Sequence, residues 1–412
     1  MSTGIVIVGA GHAGATVATG LAQAGYEGPI TLIGEEHYAP YLRPPLSKGF
    51  IKGDTRMQSL LIKPEAYYAQ KNIRLIKGRR VNVIRPDIRC VQLDNSERIA
   101  YQSLVLCTGS RPRTLPVKGA ELEHVYNLRG IDDAMNIAKA LPENGRIVII
   151  GAGYIGLELA ASCIAMGLDV TLLEAADRVM ARSASAEISG FYQVRHLAAG
   201  VNLITGVRVV ALDGDEQVQL VHAEDGRCWP ADVVVIGVGA VPDTELAEAA
   251  DINCDDGILV DAECRSSDKY IYAAGDCTRQ IHVQVQQSLR LESVQNASAQ
   301  ARMIVSRLMG KAPPPVEVPW FWSDQFDLRL QIAGIVRPGY RTLLRGDPEL
   351  GCFSVLHLQQ GRLQALEAVN RPMDFTLGKR LINEQLLLDE SSVLDEKIPL
   401  YPPPQVKQAL AE

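Results

Sequence analysis

The 412-residue chain has eight cysteines, but none of them stands in the short spacings that mark cysteine chemistry. No two form a C-x-x-C motif, which argues against a zinc site and against a dithiol redox motif. The seven histidines include no H-x-x-x-H pair, so they give a metal site little support. We expect no bound metal, and we expect most cysteines to be small apolar side chains in a reducing compartment. The cysteines stand at positions 90, 107, 163, 228, 254, 264, 277 and 352.

An excess of positive charge and an amino-terminal targeting pattern are also missing. Lys and Arg number 41 against 48 Asp and Glu, a net charge of −7, which does not indicate a nucleic-acid partner. The chain runs into the apolar stretch Ile5–Val8 without the basic and then apolar pattern of a signal peptide. We therefore expect a cytoplasmic protein, and the length favours two or three domains.

The stretch Ile147–Leu168 is almost entirely apolar and has two interpretations. As one continuous helix it would be long enough to span a membrane. However, Gly151, Gly153 and Gly156 interrupt it, and Glu158 adds a charge. These residues favour a buried strand, a tight turn and a buried helix, and we expect no membrane partner.

The three glycines form the G-x-G-x-x-G pattern of dinucleotide-binding units, between an apolar strand and a helix. One makes the turn, one lets the backbone approach a pyrophosphate, and one packs the helix on the strand, so that phosphates bind at the helix N-terminus. Glu174 follows 18 residues after Gly156 and is placed to accept hydrogen bonds from a ribose. Because a carboxylate would repel a 2′-phosphate, NADH is indicated over NADPH, despite Arg178 and Arg182 nearby.

A second copy of this pattern begins the chain as G-A-G-H-A-G, between an apolar strand and a helix. Its glycines are Gly9, Gly11 and Gly14. One such pattern is a weak signal, but two in the same context, each followed by an acid, indicate two adenine dinucleotides. Glu35 or Glu36 is expected to hold the first ribose, and alignment with the second copy favours Glu35.

A proline-fixed segment, R-P-P-L-S-K, follows the first copy. Pro44 and Pro45 predict an extended or turn conformation, and Ser47 is a candidate cap for a following helix. A rigid turn before Lys48 is a way to aim a cation, and a solvated surface lysine is the alternative.

The remaining chain completes an α/β fold of two Rossmann-like dinucleotide-binding domains and a C-terminal α+β domain. The strand Ile271–Ala274 leads into Gly275 and Asp276, an acid where α/β sheets bind ligands. After the Pro-rich linker Lys311–Pro319, short alternating strands and a helix near Phe375–Leu387 predict an antiparallel α+β domain. The predicted domains are 1–112 with 245–318 for the first dinucleotide, 113–244 for the second, and 319–412 at the C-terminus.

Several specific sequences together resemble the FAD-dependent, NADH-linked ferredoxin reductases of bacterial oxygenase systems, the putidaredoxin reductase and aromatic-ring dioxygenase type, with a glutathione-reductase-like fold. They are G-A-G-H-A-G, R-P-P-L-S-K, L-V-L-C-T-G-S-R-P-R, G-A-G-Y-I-G-L-E, A-A-G-D-C, E-S-V-Q-N-A, P-W-F-W-S-D-Q and V-N-R-P. The resemblance extends along essentially the whole chain and implies FAD in the first copy and NADH in the second.

The resemblance also implies two sets of cofactor-binding residues. The FAD set is Gly9, Gly11, Ala13, Gly14, Glu35, Arg43, Lys48, Val81, Arg129, Asp276, Val294 and Trp320. The NAD set is Gly151, Gly153, Tyr154, Ile155, Gly156, Glu158, Glu174, Arg182 and Gly239.

Three of these residues are expected to act in catalysis. By the resemblance, Lys48 lies beside the flavin N5 and pairs with Glu158, which faces the nicotinamide, while Trp320 closes over the isoalloxazine. An ordinary ion pair is the alternative for Lys48 and Glu158. Trp322 is a second candidate at the flavin edge, although a core position is favoured for it.

The disulfide reductases of similar architecture place a cysteine pair just after the first nucleotide unit, and residues 35–48 contain none. Electrons are therefore expected to leave singly for an external carrier, most simply a [2Fe–2S] ferredoxin that feeds a cytochrome P450 or a ring-hydroxylating dioxygenase. Arg302, Arg307 and Lys311 are candidates for a basic docking patch. The alternatives are a rubredoxin reductase and a slow-turnover, NADH-binding flavoprotein of the apoptosis-inducing-factor type. The sequence leaves open whether the protein is a monomer or a dimer.

Overall fold

The computed structural model describes residues 3–282 and 286–400. Its helices are α1 (His12–Gln23), α2 (Met57–Leu60), α3 (Glu65–Gln70), α4 (Ile131–Ala140), α5 (Tyr154–Ala165), α6 (Ala186–Ala198), α7 (Glu245–Glu248), α8 (Val294–Leu308), α9 (Pro372–Glu384) and α10 (Glu390–Leu394). Its strands are β1 (Gly4–Val8), β2 (Ile30–Ile33), β3 (Ile73–Ile76), β4 (Val81–Arg85), β5 (Cys90–Leu93), β6 (Arg98–Leu106), β7 (Ser110–Pro112), β8 (Val125–Asn127), β9 (Arg146–Ile150), β10 (Asp169–Leu173), β11 (Asn202–Ile204), β12 (Val209–Asp213), β13 (Leu220–Ala223), β14 (Cys228–Pro230), β15 (Val233–Ile236), β16 (Ala240–Pro242), β17 (Ile258–Val260), β18 (Ile271–Ala273), β19 (Thr278–His282), β20 (Gln287–Leu289), β21 (Trp320–Gln325), β22 (Leu328–Gly334), β23 (Arg341–Asp347), β24 (Cys352–Gln359) and β25 (Arg362–Val369).

The chain divides into two compact units. The first unit comprises Met1–Pro45, Thr55–Arg113 and Ala240–Val316, and the second comprises Leu46–Asp54, Thr114–Gly239 and Glu317–Glu412. The expected boundaries near 112, 244 and 318 lie close to these divisions. The predicted NAD-binding and C-terminal domains fall in the same compact unit, and the assignment of three domains stays a prediction.

A parallel sheet forms the centre of the first unit. Its order is β3-β2-β1-β6-β18, and the antiparallel strands β5 and β4 extend it beside β6. All five residues of β1 are buried, as expected for a central parallel strand with both faces covered. Strands β7 and β16, each of which ends in a proline, pair with each other in an antiparallel manner. The carboxyl ends of β1 and β18 therefore share one edge of the sheet.

The second unit contains a parallel sheet of the same kind and an antiparallel sheet. The parallel order is β11-β10-β9-β15-β8, and the antiparallel order is β21-β22-β25-β24-β23. One hydrophobic core includes Ile149 and Leu157 of the nucleotide-binding part together with Leu330 and Phe353 of the antiparallel sheet. This shared core explains why the two parts form one compact unit.

Most elements agree with the sequence expectations, and the differences lie at helix ends. Helix α8 starts at Val294, where the Ser293 hydroxyl accepts a hydrogen bond from the Asn296 N–H and so caps the helix. Helix α9 begins at Pro372, three residues before the expected start. Proline is favoured in a first helical turn, where its missing N–H needs no partner.

The apolar stretch 147–168 folds as β9, a glycine turn and α5. Across residues 3–282 and 286–400, no helix is both long enough and apolar enough to cross a membrane. The same ranges hold no cluster of three His, Cys, Asp or Glu side chains that could bind a metal ion.

Candidate active site

The glycine turn of the first unit has the backbone geometry of a phosphate cradle. Gly9 has a φ of +105°, and a Cβ placed on it would clash with the Cys107 carbonyl oxygen. A Cβ on Gly11 would meet no atom within 4 Å, so the backbone there faces open space. A Cβ on Gly14 would clash with the Gly9 carbonyl oxygen, which makes helix–strand packing depend on glycine.

The glycine turn of the second unit repeats this geometry. Gly151 has a φ of +107°, Gly153 faces open space, and a Cβ on Gly156 would clash with the Gly151 carbonyl oxygen. Helices α1 and α5 both start at these turns with no side-chain cap and no acidic residue in the first turn. Their N–H groups are therefore suited to an anionic pyrophosphate. The residues present fit two dinucleotides, one in each unit.

The two units differ at the expected ribose acid. Val8 pairs with Ile33 as Ile150 pairs with Leu173, so Gly34, not Glu35, occupies the position of Glu174. The alignment argument for Glu35 was therefore wrong by one residue. Glu35 itself is exposed, and its Oε1 lies 3.8 Å from Arg80 Nη1. The contact of Glu35 with a ribose stays a prediction.

Glu174 is held at the turn by backbone groups. One carboxylate oxygen accepts from the Ala152 N–H at 2.7 Å and the other from the Ala176 N–H at 2.8 Å. An ionised carboxylate offers about four lone-pair positions, so about two remain for a ribose. Glu36 is the other candidate acid of the first unit. Its carboxylate accepts hydrogen bonds from the Tyr41 hydroxyl and from Arg43 Nη2, the latter at 2.5 Å.

Other predicted FAD ligands of the first unit gather near its glycine turn. Ala13 is buried, and its Cβ would lie 3.3 Å from a Cβ placed on Gly275. Asp276 follows β18 at the carboxyl edge of the sheet, and Ser110 donates to it at 3.2 Å. His12 is the first residue of α1. Burial lowers its pKa, and the nearby Asp276 carboxylate opposes that shift.

The remaining predicted FAD ligands are spread over both units. In the first unit, Val81 is a buried residue at the start of β4, and Val294 is the first residue of α8. In the second unit, Arg129 lies just before α4, and its N–H donates to Asp133 at 2.9 Å.

The predicted NAD residues lie around the second glycine turn. Tyr154 begins α5, its ring centroid lies 4.5 Å from that of Phe321, and burial raises its pKa. The next residue, Ile155, is 48% exposed, unusual for a large apolar side chain. A Cβ on Gly239 would lie 3.1 Å from an Arg182 guanidinium nitrogen, so these two predicted ligands are neighbours.

Lys48 and Glu158 form an ion pair in the second unit. Lys48 Nζ lies 2.8 Å from Glu158 Oε2, and Glu158 is only 5% exposed. Ser47 Oγ donates to the same oxygen at 2.6 Å, and Ser323 Oγ donates to Oε1 at 2.7 Å. A buried carboxylate is stable only when paired and hydrogen-bonded, and here three donors meet that need.

The expected role of Ser47 as a helix cap was wrong. Ser47 ends a 3₁₀ turn, Pro44–Ser47, and the next helix starts only at Met57, so Ser47 caps no following helix. Its hydroxyl donates to Glu158. Its carbonyl oxygen accepts from Ser162 Oγ at 2.7 Å, which ties the turn to α5. This anchorage, and not the prolines alone, holds Lys48 against Glu158.

Trp320 and Trp322 share one face of β21. Their ring centroids are 5.6 Å apart, and Trp320 also lies 5.7 Å from the Phe375 ring. The ammonium group of Lys379 lies 5.4 Å from the Trp320 ring centroid, within cation–π range. Trp322 is half-buried rather than enclosed in the core.

Sequence reasoning missed Ser323, Gln325 and His196. The period of two in a strand places Ser323 and Gln325 on the face of β21 opposite the two tryptophans. However, Ser323 lies 165 residues from Glu158 along the chain, and no local pattern joins them.

The thiols give no internal route for electrons. All eight cysteines are free, and burial raises the pKa of both Cys107 and Cys277. Buried thiols with raised pKa values are poor nucleophiles and poor redox relays.

Comparisons with known proteins agree with this geometry. Residues 3–301 match the pyridine nucleotide-disulphide oxidoreductase family, and residues 320–402 match the reductase C-terminal family. The putidaredoxin reductase CamA of Pseudomonas putida is 40% identical over 403 residues, which cover 96% of this chain and 95% of CamA. The ferredoxin–NAD(P)⁺ reductase Fdr of a Sphingomonas species is 39% identical over 399 residues, 96% of each chain. The solved covalent complex of putidaredoxin reductase and putidaredoxin matches with a TM-score of 0.95 at 39% identity, over 99% of each chain.

These similarities confirm the predicted resemblance, the predicted α/β fold class, and the prediction of an oxidoreductase that uses FAD and NAD(H). The roles of individual site residues stay predictions. The chain belongs to the pyridine nucleotide-disulphide oxidoreductase family, with a C-terminal part of the reductase C-terminal family.

Proposed function

We propose that this protein passes electrons from NADH through FAD to a [2Fe–2S] ferredoxin of an oxygenase system. When bound, FAD accepts a hydride from NADH and releases the two electrons one at a time. The relatives named as putidaredoxin reductase and ferredoxin reductase support the carrier, since both span nearly this whole chain. The free thiols also support it, because they favour an external acceptor over an internal dithiol.

The observation that carries the proposal is the Lys48–Glu158 pair. Glu158 belongs to α5, the helix that starts at the second glycine turn, so its carboxylate is part of the nucleotide-binding element. Lys48 Nζ lies 2.8 Å from it and is only partly exposed. We assign to Lys48 the supply of positive charge at the reacting ring of FAD, and to Glu158 the orientation of both Lys48 and the nicotinamide.

The Glu158 carboxylate can accept one more hydrogen bond, which supports this assignment. Its carboxylate accepts from Lys48, Ser47 and Ser323, and about four lone-pair positions exist on an ionised carboxylate. About one position therefore remains for a donor such as the nicotinamide carboxamide. Trp320, held by Phe375 and Lys379, is assigned to cover the flavin ring and exclude water.

Stopped-flow reduction of the purified flavoprotein by NADH without oxygen tests these roles. Lys48→Met and Glu158→Gln should each slow flavin reduction about 100-fold, a usual loss for a catalytic charge or proton-handling group. Lys77→Met is the matched control, because Lys77 forms a similar 2.7 Å pair with Glu65 outside the proposed site. If reduction rates of the two site variants equal that of the control, the pair is only an ion pair and the catalytic assignment is wrong.

Turnover with different acceptors separates the proposed function from its alternatives. Rapid ferricyanide reduction with NADH is expected of the enzyme, whereas a long-lived charge-transfer complex with slow turnover would indicate the binding protein. Faster electron transfer to a [2Fe–2S] ferredoxin than to rubredoxin is also expected. The opposite preference would make the chain a rubredoxin reductase.

The proposed docking surface is a basic patch on α8 and just after it. Arg302 and Arg307 are exposed on α8, and Arg307 also pairs with Glu263 at 3.0 Å. We propose that the exposed positive charges of Arg302, Arg307 and Lys311 attract an acidic ferredoxin. Cytochrome c reduction through ferredoxin should then fall with rising salt, and salt independence would remove this patch.

We infer that the protein acts in the cytoplasm. All eight cysteines have free thiols, and Cys228 is exposed to solvent. Free thiols in this number are typical of a reducing compartment.

A further inference from the structure

Glu158 lies at one end of a chain of buried hydrogen bonds that begins at His196, and the proposed mechanism does not use that chain. His196 Nε2 lies 2.9 Å from Gln325 Oε1. Gln325 Nε2 donates to Ser323 Oγ at 3.1 Å, and Ser323 Oγ donates to Glu158 Oε1 at 2.7 Å. We call His196, Gln325 and Ser323 the relay.

The donors of the relay all point toward Glu158. Because the Gln325 amide nitrogen donates to Ser323, its oxygen is the atom that accepts from His196. The Ser323 hydroxyl already accepts from Gln325, so its single proton is directed at the carboxylate. Each member thus fixes the orientation of the next one.

Burial keeps the hydrogen bonds of the relay in one donor-to-acceptor direction. Ser323 is 0% exposed, Gln325 is 1% exposed and His196 is 0% exposed, so water does not compete for these bonds. Burial lowers the pKa of His196 to about 4, and the hydrogen bond with Gln325 opposes that shift only in part. His196 is therefore neutral near pH 7. Its Nδ1 has no partner in the described part of the chain, which agrees with the proton residing on Nε2.

The relay donates to one carboxylate oxygen of Glu158, Oε1, through the Ser323 hydroxyl. Lys48 Nζ and Ser47 Oγ contact the other oxygen, Oε2. Without the Ser323 donor, the carboxylate can rotate about its last side-chain bond and follow Lys48. A relay that served only to satisfy its own polar groups would affect stability but not the orientation of Glu158.

We propose that Ser323, Gln325 and His196 are positioning residues that hold the Glu158 carboxylate in the orientation in which it meets the bound nicotinamide nucleotide. This inference rests on the proposed role of Glu158. None of the three relay residues is assigned a direct contact with either cofactor, and each acts through Glu158.

A double-mutant cycle tests the inference. Ser323→Ala, Glu158→Gln and the double variant are compared with wild type, all with FAD bound, for the limiting rate of flavin reduction by NADH and for NAD⁺ affinity. Ser323→Ala should lower the rate about tenfold, the effect of losing one hydrogen bond to a charged group. In the Glu158→Gln background the same change should alter the rate less than about twofold, because coupled residues are not additive. Gln325→Met should give a smaller loss in the same direction.

Ser354→Ala is the matched control for burial and for loss of a hydrogen bond. Ser354 lies in β24 of the same antiparallel sheet and is also 0% exposed, and it donates to Asp374 of α9 at 3.0 Å. The control should lower the thermal unfolding midpoint about as much as Ser323→Ala while leaving the rate and the NAD⁺ affinity unchanged. A control that slows reduction equally would make the relay merely structural.

The outcomes separate failure of the relay from failure of the proposed function. Equal effects of Ser323→Ala in both backgrounds, on rate and on NAD⁺ affinity, would overturn the relay while NADH reduction of the wild type still supports the reductase. Suppose that Ser323→Ala and Glu158→Gln change the NAD⁺ affinity non-additively, while Glu158→Gln is reduced at the normal rate. The relay would then be retained, and the catalytic assignment of Glu158 would be rejected. NAD⁺ affinity needs no electron transfer, so the relay is tested even if NADH does not reduce the wild type.

Discussion

The two glycine turns have the same backbone but different surroundings. Gly9 and Gly151 have nearly equal positive φ values, +105° and +107°, and the other glycines of each turn meet matching obstacles or open space. After the next strand, however, the second unit has Glu174 where the first has Gly34. The glycine spacing therefore determines the backbone of the turn, whereas the residue that follows the next strand differs between the two units.

The largest effect should come from filling the third glycine of each turn. Gly14→Ala and Gly156→Ala both place a Cβ against a carbonyl oxygen, and overpacking of that size corresponds to about 100-fold weaker cofactor binding. Gly14→Ala should purify without flavin. Gly156→Ala should stay yellow and respond to dithionite, but it should need about 100-fold more NADH than the wild type for the same rate of bleaching.

Gly190→Ala is the control for these two variants. Gly190 lies inside α6, and a Cβ there meets no atom within 4 Å. It should bind both cofactors normally. Full flavin content in Gly14→Ala, measured by absorbance, would contradict the assignment of FAD to the first cradle.

A second contrast between the units concerns buried histidines. Folded His196 takes up a proton near pH 4, and an unfolded histidine does so near pH 6.5. As pH falls through this window the unfolded state binds more protons, so the free energy of unfolding should drop by about 3 kcal/mol. The pKa of His12 is also lowered by burial, but Asp276 opposes the shift, so its contribution should be smaller.

Unfolding in urea at several pH values between 4 and 7 measures this difference. His196→Gln should flatten the pH dependence of the unfolding free energy, and His12→Gln should flatten it less. Equal slopes for the two variants would show that the two environments do not differ as described.

The ribose acids give the next comparison. Glu174→Ala removes a carboxylate that two backbone N–H groups hold in place, and NADH affinity should fall about tenfold. Glu35→Ala removes an exposed side chain one residue beyond the matching position, so FAD retention should change little. NADH titration and flavin release in mild denaturant measure the two effects. If Glu35→Ala weakened FAD retention more than Glu174→Ala weakened NADH affinity, Glu35 would be the ribose acid of the first unit despite the offset of one residue.

The smallest effect concerns one exposed ion pair in each unit. Arg146 of the second unit donates to Asp232 through its backbone and side chain, which lowers the Asp232 pKa. Asp232→Asn should cost about 1 kcal/mol at neutral pH or less, and the contribution should vanish as acid protonates Asp232. Glu245→Gln weakens exposed contacts with Arg111 at 2.8 Å and with Arg80 at 3.8 Å and should cost still less. Thermal unfolding measures the loss of stability in each variant. A larger loss in Glu245→Gln than in Asp232→Asn would contradict this comparison.

The sequence was sufficient for elements that local pattern determines. The glycine turns and buried strands such as Ile30–Ile33 and Val233–Ile236 follow from apolar runs and backbone requirements. The predicted start of α9 at Phe375 was wrong, because Pro372 lies in the first turn of the helix, a position that proline favours.

The site was predictable only as far as its motifs extend. The resemblance named Lys48 and Glu158, but the donors that fix Glu158 come from distant segments. His196 and Gln325 are 129 residues apart in the chain and meet only through the core that joins α6 to the antiparallel sheet. Such contacts depend on tertiary packing, which no local period or propensity encodes.

The central claim is the proposed function, that the protein passes electrons from NADH to bound FAD, with the second glycine turn needed for NADH binding. The most direct measurement is the anaerobic addition of NADH, at a concentration near its Kd for the wild type, to purified wild type and Gly156→Ala, followed by flavin absorbance. Rapid bleaching of the wild type and bleaching of the variant that is slower by about 50-fold or more is the predicted result. A wild type that stays yellow, or a variant that bleaches at the same rate, would contradict the account.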